Sequence, residues 1–206
     1  MRNKEIIITY VDDDHNHILS GYLSDFTYKD FKVKYEWVTF GRDANDYKEL
    51  INHDAVRNSD ILVIDSRLFE EQDADTKLTG EVFKAIYELN FPDSRIFVIT
   101  KNPGREKYGT FSKGPNHSDE EDRDYYKKEI GEVICKAIDD IYTKRLITKE
   151  LVNSQVLADE ILVQKIKDTT AGISTYSDLS DDKIDEVIIE IEKLLIQLDG
   201  ADDGIS

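Results

Sequence analysis

Ile61-Leu62-Val63-Ile64-Asp65 is the stretch on which the reading of the fold turns. A short apolar run rich in β-branched residues is what a strand buried on both faces of a parallel sheet requires, and this one stops at a carboxylate. Asp65 is thereby placed at the carboxyl edge of a sheet, the edge where ligands and chemistry gather in open α/β folds. Alone it would be an ordinary strand-ending aspartate. Its weight comes from what the rest of the chain puts beside it.

Upstream, Ile6 to Val11 is a second β-rich run, broken at once by Asp12, Asp13 and Asp14, which no strand interior tolerates. His15 to Phe26 carries Ile18, Leu19, Tyr22, Leu23 and Phe26 at helical spacing, Phe31 to Phe40 alternates as a strand closed by Gly41, and Ala44 to Ile51 reads as a second helix. Downstream, Leu78 to Leu89 is a helix with Val82, Ile86 and Leu89 on one face, and Arg95 to Thr100 is a fourth strand. Lys101 to Gly109 holds Pro103 and Gly104 and no apolar period, so a loop is expected where a fourth crossover helix is due, before a short fifth strand from Thr110 to Lys113. Such alternation specifies an α/β, doubly wound, parallel five-stranded sheet, because parallel neighbours need crossovers and crossovers are right-handed.

Gly114-Pro115-Asn116 closes a sheet domain spanning 1–116, and 117–206 forms a helical extension. Ser118 and Glu121 make a capping box for a long helix. Its stripe runs through Tyr126, Ile130, Val133, Ile134, Ala137, Ile138 and Ile141 and on to Ile166, with a break expected near Thr148. After a polar loop, Asp181 to Leu198 repeats the amphipathic pattern, and Asp199 to Ser206 is a frayed tail. Amphipathic helices need partners, so an α-hairpin is expected, or a bundle or coiled coil shared between two copies of the chain. A homodimer is the expectation.

Composition narrows the function. The 206 residues carry a formal net charge of −17, which opposes direct binding to nucleic acid, and neither helix shows a basic recognition face. One cysteine, Cys135, permits no internal disulfide and reads as a small core residue. No opening apolar segment resembles a signal peptide or membrane span, so a cytoplasmic location with no membrane contact is expected. The histidines, His15, His17, His53 and His117, are scattered, which argues against a phosphotransfer histidine on a bundle face.

In a doubly wound sheet the first and third strands are neighbours, so Asp12, Asp13 and Asp65 converge. Two unit charges about 4 Å apart at an effective dielectric near 20 repel by roughly 4 kcal/mol, so three carboxylates need a cation between them. All-oxygen ligands favour Mg2+.

These residues resemble the receiver domain of two-component response regulators. Val11-Asp12-Asp13-Asp14 is similar to that family's acidic pair, Asp65 to its phosphoacceptor, Thr100 after Ile96-Phe97-Val98-Ile99 to its hydroxyl residue, and Lys113 to its lysine, with Lys101 as a rival. Leu78-Thr79-Gly80 resembles its glycine turn before the third helix. The resemblance implies a signalling protein that accepts a phosphoryl group on Asp65 from a histidine kinase or small phosphodonor. Mg2+ would lie on Asp12, Asp13 and Asp65, Lys113 would pair with a phosphoryl oxygen, and Thr100 would read the product. It would be no turnover enzyme beyond autophosphatase activity, and its output would go to a protein effector.

The chain departs from the pattern in four places. The segment from Thr100 to Lys113 is too short for the helix that normally lies between them, Thr110 stands where the family has a switch aromatic, Lys113 is followed by Gly114 before Pro115, and Ser66-Arg67-Leu68-Phe69 lacks the usual proline. Two other readings stand beside the first: a phosphorylation-independent pseudo-receiver adaptor, and a Mg2+-dependent phosphohydrolase of haloacid-dehalogenase type with Asp12 as nucleophile and Asp14 as acid.

Overall fold

The computed structural model describes residues 4–14, 16–68, 79–101, 110–114, 119–153 and 164. Five strands, β1 (Glu5–Asp12), β2 (Lys32–Thr39), β3 (Ile61–Asp65), β4 (Arg95–Thr100) and β5 (Thr110–Ser112), form one sheet in the order β2-β1-β3-β4-β5 with every pairing parallel. This is a doubly wound order whose winding reverses between β1 and β3.

Alternation along β3 explains the two layers of helix. All of β3 is buried; Leu62 and Ile64 enter one core and Ile61 and Val63 the other. The first core is closed by α2 (Tyr47–Asn52), α3 (Asp54–Arg57) and α4 (Gly80–Asn90) through Leu50, Val56, Val82, Phe83, Ile86 and Tyr87. The second is closed by α1 (His17–Ser24) through Leu19 and Leu23, together with the long helix.

Caps account for where helix boundaries differ from the sequence expectation. α1 starts at His17 because the Asn16 side chain accepts from the Leu19 amide at 3.0 Å. α2 starts at Tyr47 rather than Ala44 because Asp46 accepts from the Glu49 amide at 2.8 Å, while Ala44 bridges to Phe40. The short α3 has too few residues to show a period, and its signal is local: His53 Nδ1 accepts from the Ala55 amide at 3.2 Å.

The long helix comprises α5 (Asp119–Tyr126), a π-helical turn (Lys127–Gly131) and α6 (Glu132–Asn153). No break occurs near Thr148: α6 runs through it, since an exposed stretch with one threonine and no Pro or Gly gives the backbone ladder no reason to stop. Tyr126, Ile130, Ile134, Ala137, Ile138 and Ile141 are buried in the same core as Ile6, Ile8, Tyr10 and Val63. Cys135 beside them is half-buried. Leu78, Phe69, the stretch after Lys101, Pro115 and Asn116, His117, Ser118 of the expected capping box, the second amphipathic segment from Asp181 to Leu198 and the tail lie outside the described residues. Among the described residues no helix is long and apolar enough to cross a membrane.

Where the buried half of α6 ends, a polar latch fixes it to the amino edge of the sheet. The Asp60 carboxylate accepts from the Ile7 amide at 2.9 Å and meets the Arg145 guanidinium, which also donates to the Glu5 carbonyl at 3.0 Å. Arg145→Ala is expected to destabilise the protein by about 1–3 kcal/mol, because Asp60 is largely buried and its ion pair only partly solvated. Thermal unfolding followed by circular dichroism should show a midpoint lower by several degrees; an unchanged midpoint would mean the latch contributes nothing.

Candidate functional site

The reversal of winding between β1 and β3 opens a crevice at their carboxyl ends, and the register fills it with acid. Ile8 to Val11 pair in step with Ile61 to Ile64, so the next residues, Asp12 and Asp65, emerge side by side. Tyr10 and Val63 point into the core under α1 and the long helix; two residues on, Asp12 and Asp65 follow the same side of the pleat. Carboxylate oxygens of Asp12, Asp13 and Asp65 lie within 4.8 Å of one another. Asp12 is 0% exposed and Asp65 7%, whereas Asp13 and Asp14 are exposed.

Lys113 reaches this cluster from two strands away. Its amide donates to the Thr100 carbonyl at 2.7 Å, prolonging the β4–β5 ladder, and its Nζ lies 2.8 Å from Asp65 Oδ1 and 3.1 Å from Asp12 Oδ2. Lys101 is exposed. Thr100 ends β4 almost fully buried and joins the site through that backbone bond.

Burial pushes the Asp12 carboxyl up to about 6; the Lys113 ammonium and the Tyr10 hydroxyl, which donates to Asp12 Oδ2, act against this, and the Asp65 charge adds to it. Burial also works against the charge of Lys113, but Asp12 and Asp65 outweigh it and hold the ammonium above the ordinary lysine value. The Tyr10 hydroxyl, raised by burial and by the Asp12 charge, stays a donor. An acid whose folded-state pKa lies above its unfolded value of 3.8 costs stability when ionised; that cost is absent below about pH 4 and complete above about pH 6 to 7. In metal-free buffer, Asp12→Asn should therefore be more stable than the parent by about 1–3 kcal/mol at neutral pH, with the advantage vanishing toward pH 4. Urea midpoints at the two pH values check this, and equal gains at both would refute the electrostatic origin.

The donor set fits a hard divalent cation. Three carboxylates supply oxygen alone, one ligand is exposed so that water can complete the shell, and among the described residues no soft or imidazole donor is part of the cluster. Asp12, Asp13 and Asp65 are the residues that could hold Mg2+.

The support behind Asp65 is tight. The Arg67 amide donates to Asp65 Oδ2 at 3.0 Å, closing a turn around the carboxylate. The Gly80 amide bonds the Ser66 carbonyl at 2.9 Å, and a Cβ on Gly80 would stand 2.6 Å from the Asp65 carbonyl oxygen and 2.9 Å from Ser66 Cα. Glycine is required here by close approach, and it lets α4, capped by Thr79, seat on the end of β3.

Three residues that the sequence pattern does not single out border the cluster: Tyr10 through Asp12, and Asn16 and Tyr126, whose side chains meet at 3.4 Å. Tyr10 has a signal in the sequence, standing two residues before Asp12 on a strand. Tyr126 reads in the sequence only as part of the helix stripe, because its nearness to the site depends on how the long helix docks.

No protein-family model matches the chain, and no curated protein matches it in sequence. Solved structures to which it is similar include the signal receiver domain of an HD domain-containing protein from Pseudomonas fluorescens Pf-5, at 14% identity and TM-score 0.43, covering 69% of this chain and 93% of that one. A two component transcriptional regulator AraC from Clostridium phytofermentans ISDg matches at 13% identity and TM-score 0.42, over 68% of this chain and 98% of that one. The response regulator RcsB of Salmonella typhimurium, in a structure concerned with DNA interaction, matches at 13% identity and TM-score 0.39, over 82% and 90%. Strand order and register, not these similarities, define the fold.

Proposed function

We propose that the chain is a response-regulator-like signalling protein that accepts a phosphoryl group on Asp65. The observation that carries this reading is the placement of one lysine ammonium between Asp65 and Asp12 at the crevice where the sheet reverses its winding. An Asp65 carboxylate oxygen attacks the phosphorus of a phosphohistidine or small acyl phosphate. The new P–O bond forms as the P–N or P–O bond of the donor breaks, and the leaving imidazole or carboxylate keeps the electron pair. Lys113 pairs with the phosphoryl oxygens, and the buried Thr100 reads the product from the neighbouring strand end. Bound at Asp12, Asp13 and Asp65, Mg2+ supplies charge neutralisation. The acyl phosphate is lost by slow self-hydrolysis.

In this reading residues 1–116 accept the signal and 117–206 deliver it to a protein effector, with the first turns of the output helix docked on the sheet. Leu146, Ile147 and Leu151, exposed on α6 beyond the Arg145 latch, support an output through helix association, including a homodimer. The test is incubation with labelled acetyl phosphate and Mg2+. Stoichiometric, hydroxylamine-labile label dependent on the metal is the expected result. Absence of label with Mg2+ binding retained would favour a pseudo-receiver adaptor.

A further inference from the structure

Two tyrosines at the end of α5 bracket Lys113. The Tyr125 hydroxyl donates to the Ser112 carbonyl at 3.2 Å, and the Tyr126 hydroxyl accepts from the Gly114 amide at 3.0 Å, so the residues on both sides of the lysine are tied to the long helix. The same Tyr126 oxygen accepts from Asn16 Nδ2 at 3.4 Å, while the other end of that amide caps α1. Asn16 stands just past the Asp12-Asp13-Asp14 exit of β1. One phenol carried by the long helix therefore bonds the backbone beside Lys113 and the side chain of Asn16.

Packing alone does not ask for that hydroxyl. Tyr126 is 1% exposed, with its ring 6.3 Å from Tyr22 in a stacked arrangement and 5.5 Å from Tyr125 edge-on, and phenylalanine would fill the same space. What the hydroxyl adds is position. The ammonium of Lys113 sits on a flexible four-carbon stem, so its place between two carboxylates is set by where the backbone of 112–114 is held.

We propose that Tyr126 is a positioning residue for Lys113, fixing the lysine over the acid cluster through the Gly114 amide. The inference rests on the phosphoacceptor reading above and deepens it. The link also gives the site a direct mechanical connection to the long helix. The π-helical turn starts at the residue after Tyr126, and Gly131 within it is pressed so close to Tyr22 that a Cβ would stand 2.6 Å from the Tyr22 hydroxyl.

The test is a double-mutant cycle on the full chain with acetyl phosphate and Mg2+. Tyr126→Phe should slow labelling by about two- to tenfold, the loss of one or two hydrogen bonds. In the Lys113→Ala background the same change should have no further effect. Mg2+ affinity, read from the emission of Trp37, whose ring lies 4.9 Å from Tyr10, should be unchanged in Tyr126→Phe because the carboxylates are untouched. Wild-type labelling speed in Tyr126→Phe, or effects that multiply in the double variant, would overturn the assignment, since a residue acting only on the fold would slow both backgrounds alike. A parent protein that takes no label would instead bring down the phosphoacceptor reading itself, an outcome distinct from both.

Discussion

Asp65→Asn is expected to abolish covalent phosphoryl uptake while leaving the fold intact. An amide offers no anionic oxygen to attack phosphorus, so label from acetyl phosphate should fall to background, at least about a hundredfold. The substitution keeps shape and the turn around the side chain: the amide oxygen it introduces can still accept from the Arg67 amide, which lies 3.0 Å from Asp65 Oδ2 in the parent, while the amide nitrogen replaces the Oδ1 that pairs with Lys113 at 2.8 Å. Removing one of three crowded carboxylates relieves repulsion but also loses one of the two Lys113 ion pairs, so the metal-free variant should stay within about 1–2 kcal/mol of the parent. Asp12→Asn supplies the contrast. It removes a metal ligand but not the nucleophile, and labelling should return at raised Mg2+. The opposite pattern, label retained in Asp65→Asn and lost beyond rescue in Asp12→Asn, would point to the phosphohydrolase reading, in which Asp12 attacks. The geometry disfavours that role for Asp12, which is 0% exposed with its Oδ2 held by both Tyr10 and Lys113.

Lys113→Ala carries the second large effect, and it has two parts that must appear together. Loss of the ammonium from the phosphoryl oxygens should slow labelling by about 10² to 10³ at saturating Mg2+, the usual scale for deleting one charged group aimed at the transferring phosphate. In metal-free buffer the same change removes the cation that Asp12 and Asp65 share at 3.1 and 2.8 Å, and the fold should lose about 2–4 kcal/mol. Mg2+ should restore most of that stability but little of the rate. Urea midpoints with chelator and with excess Mg2+ separate the two. A variant as stable as the parent in chelator would show that the carboxylates do not strain the apo fold, and would weaken the case for a metal between them. The sign is opposite to that for Asp12→Asn, because one change removes a buried negative charge and the other the positive charge that offsets it.

Much of this arrangement is legible in the chain. The β-rich runs that end in carboxylates locate β1 and β3, and once the alternation of elements makes the sheet doubly wound, the convergence of Asp12, Asp13 and Asp65 follows from topology. In the sequence Lys113 is matched only by order along the chain, with Lys101 as rival; the ladder bond from its amide to Thr100, which the pairing of β5 supplies, places it at the cluster. What cannot be read is what depends on docking. Tyr126 lies 110 positions from Asn16, and no periodicity says that the two touch. Caps shift the starts of α1 and α2 by two to three residues because a single Asn or Asp side chain outweighs a run of apolar positions at a helix start. The stripe from Tyr126 to Ile141 is plain in the sequence, but pattern alone does not distinguish a helix facing its own sheet from one facing another chain.

The shared core of the sheet and the long helix sets where this protein can be dissected. A fragment ending in the loop after β5 would shed Tyr126, Ile130, Ile134, Ile138 and Ile141 and lay bare Ile6, Ile8, Tyr10 and Val63 to solvent. The smallest autonomous piece therefore extends past Arg145, whose guanidinium still grips the sheet one turn beyond the last buried isoleucine. Fusion of a reporter belongs downstream of that grip, where cutting or splicing the rod leaves the body it closes intact.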